Sequence, residues 1–272
     1  MNESARTAPW PKYLSIAMTS FQQAIAYRVT TILNIAITFI WVFILYYLWR
    51  AAFSERNLIA GYTWADMRTY VLLAYGINAL VGWRVGSVMM GAIRTGEILR
   101  ELVRPLNYCV TQLALAAGFT VTEGFISLIF TLVLGIFVLD IRAPASSEMA
   151  LLFALSVLVG FVTKALIVFT VSLLTFWTLN GVGLMWAQQA VIAILAGTLV
   201  PIDLLPGWLR VAAEVLPMRG IVYTPITLYL GKAEGWTVVQ MLGMQLAWLV
   251  ALWVFANWAW RAAFDAVEIQ GG

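Results

Sequence analysis

Histidine is absent from this 272-residue chain, and cysteine occurs once, at Cys109. The first absence removes the usual general base, proton relay and imidazole metal ligand. The second excludes an intrachain disulfide and any cysteine metal cluster. Charge is scarce too, at 11% of residues, where a soluble domain carries about 25%. No glycine-rich G-x-x-x-x-G-K-[ST] run occurs, so the chain cannot cradle a nucleotide phosphate by that route. The net charge of +3, from 16 Lys and Arg against 13 Asp and Glu, suits contact with lipid phosphates. It lacks the clustering that nucleic-acid binding requires.

Apolar residues fill the space that charge leaves, at 62% of the chain with a mean hydropathy of +0.90. Surface-to-volume scaling limits how much apolar area a water-soluble core can hide, so lipid has to be the solvent. The apolar runs are continuous and do not alternate with period two, which argues for helices and against a β-barrel. The fold class expected is therefore an all-α polytopic membrane protein. Six stretches, at about 29–49, 69–92, 110–139, 150–177, 182–201 and 237–260, are each long enough to cross roughly 30 Å of hydrocarbon. Trp49, Trp64, Trp177, Trp186, Trp236, Trp258 and Trp260 flank their ends as an aromatic belt would.

Residues 1–10 are too short and polar to be a cleavable signal peptide, so the N-terminus is expected to be kept. Between Lys12 and Arg28, Tyr13, Ile16, Ala17, Phe21, Ala24 and Ile25 recur at helical spacing, opposite Lys12, Ser15, Thr19, Gln22 and Gln23. That pattern predicts an amphipathic helix in the interface. Residues 1–28 thus form a tail and interfacial helix, and 29–272 a transmembrane domain. Six crossings put both termini on one side. The Lys and Arg count is seven on each side, so the positive-inside rule decides little, with a slight lean to a cytoplasmic N-terminus.

Two connections stand out. RTGEILRELVRPL, from Arg94 to Leu106, places Ile98, Leu99, Leu102, Val103 and Leu106 on one helical stripe and Arg94, Glu97, Arg100, Glu101 and Arg104 on the other side. Thr95 is the expected N-cap and Pro105 the stop. Such a helix is either a solvated connector or a docking element. Residues 201–236 hold four of the eight prolines, Pro201, Pro206, Pro217 and Pro225, with apolar runs between them too short to span. They read either as a re-entrant pair of short helices or as a loop with interfacial helices.

Arg84, Glu123 and Lys164 fall inside apolar stretches, where each charge costs at least about 2.5–3.5 kcal/mol at the bilayer centre unless paired or solvated. Arg84 and Glu123 are expected to pair near the connector side. Lys164 is the candidate for a midplane, cavity-lining charge, with a snorkelling structural lysine as the other reading.

In its order of elements the chain resembles the ABC-2 type permeases, the membrane subunits of ATP-binding cassette exporters, and more narrowly the branch that works with a second, different permease subunit. The resemblance is carried by KYLSIAMTSFQQAIAYR (12–28), GYTWADMRTYVL (61–72), TGEILRELVRPLNY (95–108), GTLVPIDLLPGWL (197–209), LPMRGIVYTPITLYLG (216–231) and VEIQGG (267–272). It implies a bacterial cytoplasmic membrane protein with both termini cytoplasmic. It implies a cytoplasmic coupling helix, comprising Gly96, Glu97, Arg100, Glu101, Arg104 and Pro105, seated on a separate ATPase that carries the ATP and Mg. It also implies re-entrant extracellular helices before the last span, with Pro201, Asp203, Pro206, Pro217, Arg219 and Pro225 at the exit gate. No cofactor is expected on this chain itself. The partners implied are ATPase subunits, lipid and a second permease, with a heterodimer favoured over a homodimer.

Two rival functions follow from the residues alone. A stand-alone secondary transporter or channel should show internal repeats or coupling-ion residues at the midplane, and only Lys164 qualifies. An intramembrane hydrolase normally needs histidine or paired acidic ligands. The abundance of Phe, Trp, Met and Leu suits an apolar route for amphipathic cargo, and suits core packing equally.

Overall fold

The computed structural model describes residues 10–26, 28–98, 106–137, 139–178 and 181–271. They form α-helices with short 3-10 and π turns and no strand. In chain order the helices are α1 (Trp10–Ala26), α2 (Arg28–Ala52), α3 (Trp64–Asn78), α4 (Trp83–Arg94), α5 (Tyr108–Phe119), α6 (Phe125–Phe137), α7 (Ser147–Leu173), α8 (Gly181–Leu195), α9 (Gly207–Val215), α10 (Tyr223–Tyr229) and α11 (Trp236–Gly271).

Local signals set the helix starts. Thr63 and Asp66 form a capping box at α3, Asn107 accepts the Val110 N–H at α5, and Ser146 accepts the Met149 N–H at α7. Each satisfies an N-terminal donor that the helix itself leaves unpaired.

Six crossings are expected from the apolar runs. Among the described residues, five helical segments of 21 to 31 residues are long and apolar enough: Ile32–Ala52, Trp64–Arg94, Tyr108–Phe137, Ser147–Phe176 and Trp236–Ala263. The expected run at 182–201 yields only the shorter apolar helix Gly181–Leu195. It ends early because the chain turns at Gly197, with φ of +80°, and Tyr70 donates to the Gly197 carbonyl at 2.7 Å. A Cβ at Gly197 would sit 2.6 Å from that hydroxyl oxygen, so only glycine fits the turn.

α3 and α4 together make the second apolar segment, broken at 79–82. The third is also irregular, because α5 passes into α6 through a π turn, Thr120–Gly124. The two irregularities meet, and a Cβ on Gly124 would lie 2.8 Å from the Leu80 Cα. The main core cluster runs from α2 and α3 through α8 and α10 to the start of α11, and α10 is buried along its whole length.

Connections 53–63, 139–146 and 196–235 share one end of the bundle. Ala145 donates to the Tyr229 carbonyl there at 3.0 Å, and Lys232 donates to the Gly61 carbonyl at 2.7 Å. At the other end Tyr13 accepts the Asn107 N–H at 2.9 Å, and Trp260 stacks on Tyr108 with centroids 4.1 Å apart. The N-terminal helix and the late turns of α11 therefore lie at the same end as the start of α5. The stripe expected for α1 is largely observed, with Ala24 and the unforeseen Ser20 buried. Ala17 and Ser20 press on Gly118 of α5, so the inner face meets protein. Ile25 is exposed instead.

Candidate functional site

The break in the second apolar segment frees backbone carbonyls, which in an apolar surrounding must find donors. Thr120 donates its hydroxyl to the Leu80 carbonyl. Lys164, 1% exposed, donates its Nζ both to the Asn78 carbonyl and to Asn78 Oδ1 at 2.8 Å. This accounts for the lysine that stands in the middle of an apolar helix: it caps a helix end 86 positions earlier in the chain. The snorkelling reading does not fit, since the ammonium points inward to the break.

Around the break lies a cavity of about 280 Å³, whose polar lining is Asn34, Thr38, Asn78, Ser127, Lys164 and Gln189. Trp83 and Trp186, with ring centroids 5.0 Å apart, stand at its side. Lys164 therefore lines a cavity and caps a helix end together.

Arg84 sits half-buried at the start of α4 with its guanidinium 5.3 Å from the centre of the Phe119 ring, within cation–π range. Glu123 belongs to the π turn, on the segment that packs against Leu80, but its side chain lies outside the described part of the structure, as does the pairing expected with Arg84.

At the opposite-numbered end of the bundle, the proline-rich segment folds as the prolines dictate. Pro201 and Pro206 each precede a short helix, Pro217 begins a 3-10 turn, and Pro225 lies in the first turn of α10. Proline is tolerated at these positions because the first-turn N–H has no helical partner. Asp203 accepts from Tyr62 Oη at 2.8 Å and from Tyr223 Oη at 2.8 and 2.9 Å, with Arg210 3.8 Å away. Arg219 lies over the face of the Tyr223 ring at 5.4 Å. Asp203 and Arg219, expected together at the exit, thus meet through Tyr223. Burial first, and the neighbouring Asp203 charge with it, push both the Tyr62 and Tyr223 hydroxyls well above the ordinary phenol range.

The segment is also tied from behind. Gln245 of α11 donates to the Gly220 and Ser156 carbonyls, each at 2.7 Å, and accepts from Ser156 Oγ at 2.9 Å. Gly160 of α7 lets the Gly220 carbonyl approach so closely that a Cβ would stand 2.8 Å from it.

Thr95 is the C-cap of α4, its Oγ1 donating to the Gly91 carbonyl at 3.1 Å, which corrects the N-cap expected of it. Gly96 follows with φ of +74°, the left-handed residue that commonly ends a helix, and the Ile98 N–H turns back to the Ala92 carbonyl. Glu97 is exposed at this turn and Ile98 is buried. Arg100, Glu101, Arg104 and Pro105, with the helix expected over them, lie outside the described residues.

Tyr62, Tyr70, Asn78, Thr120 and Gln245 were not singled out by sequence reasoning. Each works through a partner 25 or more positions away, and no local spacing announces such a contact. Trp49, read as part of an aromatic belt, is 8% exposed and belongs to the core.

Apolar helices of spanning length, polar groups capped inside them and a proline-broken segment at one end define a multi-pass membrane protein. The family model of the ABC-2 family transporter protein matches residues 39–271, and the chain belongs to that family: it is an ABC-2 type permease, a transport component of the membrane. The match begins inside α2 and leaves α1 outside. Comparison with curated proteins returned no match.

Proposed function

We propose that this chain is the transmembrane subunit of an ATP-driven exporter in a bacterial cytoplasmic membrane, with both termini and the 94–105 connection cytoplasmic. A separate ATPase subunit, carrying ATP and Mg, docks on that connection. The observation that carries the reading is the family match over residues 39–271, joined to a sequence without a phosphate loop. The exposed Glu97 at the end of α4, on the face that also holds α1, is where a docking partner can reach the chain. α8, though short, is read as a fifth crossing, which keeps the termini on one side.

In this reading two permease chains, most simply this one and a different sister subunit, enclose a route. ATP binding closes the ATPases, and the rigid-body motion enters the bundle through the connection. The Asp203–Tyr62–Tyr223 cluster then closes the far end. ATP acts through the difference in cargo affinity between the two states.

The test is copurification of the complex from its native membrane. Glu97→Lys with Glu101→Lys should release the ATPase while the permease retains its melting temperature. An ATPase retained at the wild-type ratio, with undiminished transport, overturns the docking assignment. Transport by the chain alone, without any ATPase, would restore the secondary-transporter reading.

A further inference from the structure

We propose that the cavity at the break of the second apolar segment binds the anionic head of an amphipathic molecule, a carboxylate or a phosphate ester, against Lys164. This deepens the exporter reading by naming the class of cargo, and it rests on that reading.

The cavity wall is largely apolar, and two buried donors, Lys164 and Ser127, stand on its polar side. Lys164 uses two of its three ammonium N–H groups on Asn78 and has no carboxylate in ion-pair range among the described residues. Ser127 is 2% exposed, and its hydroxyl has no hydrogen-bond partner among the described residues. α4 begins at the cavity wall, and its N-cap Gly82 offers no side chain to accept the first N–H groups, where a helix N-terminus favours negative charge. A buried lysine, a buried idle hydroxyl and an uncapped helix start all want an acceptor that carries charge. A carboxylate or phosphate oxygen supplies it, and a cationic or purely apolar molecule does not.

The volume and the mouth fit an amphiphile. About 280 Å³ is room for roughly nine waters at about 30 Å³ each, enough for a charged head with several methylenes behind it. The apolar part of the wall is Ile35, Ile37, Val81, Trp83 and Trp186. Of these, Ile37 is 52% and Trp186 66% exposed, so the mouth opens sideways between α2 and α8, where a tail can stay in apolar surroundings while the head reaches inward.

Full-length chain in phosphatidylcholine nanodiscs provides the test, with tryptophan quenching by three bromine-labelled probes of equal tail: dibromostearate, dibromostearoyl phosphatidate and dibromostearyl trimethylammonium. The signal read is the part that Trp186→Phe abolishes. At least one anionic probe should half-saturate this signal at a concentration about tenfold below the cationic one. Carboxylate alone, phosphate alone or both would each support the proposal and identify the source of the charge.

Lys164→Gln should cut the preference to about threefold or less. So should Asn78→Asp, which keeps the lysine and the backbone cap but supplies an internal counter-charge. Equal quenching by the cationic probe, or a preference that survives either substitution in folded protein, overturns the proposal. The nanodiscs contain no ATPase, so failure here leaves the copurification result standing, and failure there leaves this one.

Discussion

Replacing Asp203 with alanine would unfasten the proline-rich segment from the loop before α3. The carboxylate accepts one hydroxyl from each side, Tyr62 and Tyr223, both at 2.8 Å. Those tyrosines are 2% and 8% exposed, so water reaches them poorly once their acceptor is gone. The Arg210 pair is 3.8 Å long and the arginine side chain 46% exposed, so solvent screening leaves it a minor share.

The loss should therefore come from two buried donors left without an acceptor, at about 1–3 kcal/mol each, or roughly 2–6 kcal/mol together. At about 2–4 °C per kcal/mol for a chain of this size, the melting temperature in detergent should fall by roughly 4–24 °C. Asp203 is itself 25% exposed on its side chain, so water entering the vacated space places the result in the lower half of that range. Asp203→Asn keeps one acceptor oxygen and should recover about half the loss. In a double-mutant cycle, Tyr223→Phe should add little once Asp203 is alanine, with a coupling of at least about 1 kcal/mol. A melting temperature within about 2 °C of wild type for Asp203→Ala, or strictly additive effects, would refute the argument.

Gly160→Ala should destabilise by about 1–3 kcal/mol through overpacking, because its Cβ meets the Gly220 carbonyl at 2.8 Å and Gln245 holds that carbonyl in place. Gly243→Ala, inside α11 with nothing within 4 Å of its Cβ, gains helix propensity without a clash and is the matched control, and the two melting temperatures decide the matter. Alkaline pH should also weaken the fold. The Tyr62 and Tyr223 hydroxyls lie above the ordinary phenol value in the folded chain, so their contribution is whole below about pH 10 and declines above it, by at most about 1.4 kcal/mol per unit for each tyrosine. Melting curves between about pH 8 and 11 should be shallower for Tyr62→Phe than for wild type.

The helices themselves could be read from the chain because continuous apolar runs and cap residues are local signals. Proline placed the short helices of 201–231 for the same reason, since a missing N–H is a property of the residue itself. The break at 79–82 could not be read that way. No proline marks it, and the groups that make it tolerable, Lys164 and Thr120, arrive from other helices. Lys164 was visible as a charge in the wrong place, which left a cavity-lining and a snorkelling role both open and gave no sign of the helix end it caps. Tyr62 and Tyr223 escaped notice because tyrosine in an apolar chain resembles an interface anchor until its acceptor is known. Thr95 was assigned to the wrong helix end because threonine can serve either boundary, and the left-handed Gly96 that follows settles which one.

The close approach at Gly160 reaches beyond stability. With the Gly220 carbonyl pressed against α7 and gripped by Gln245 of α11, the turn ahead of α10 is riveted to two long columns. It has no slack to swing as a free flap. Any displacement of that turn has to drag the adjoining stretches of both columns, and the compliant joints are left at the left-handed glycines on either side, Gly197 before it and Gly231 and Gly235 after it.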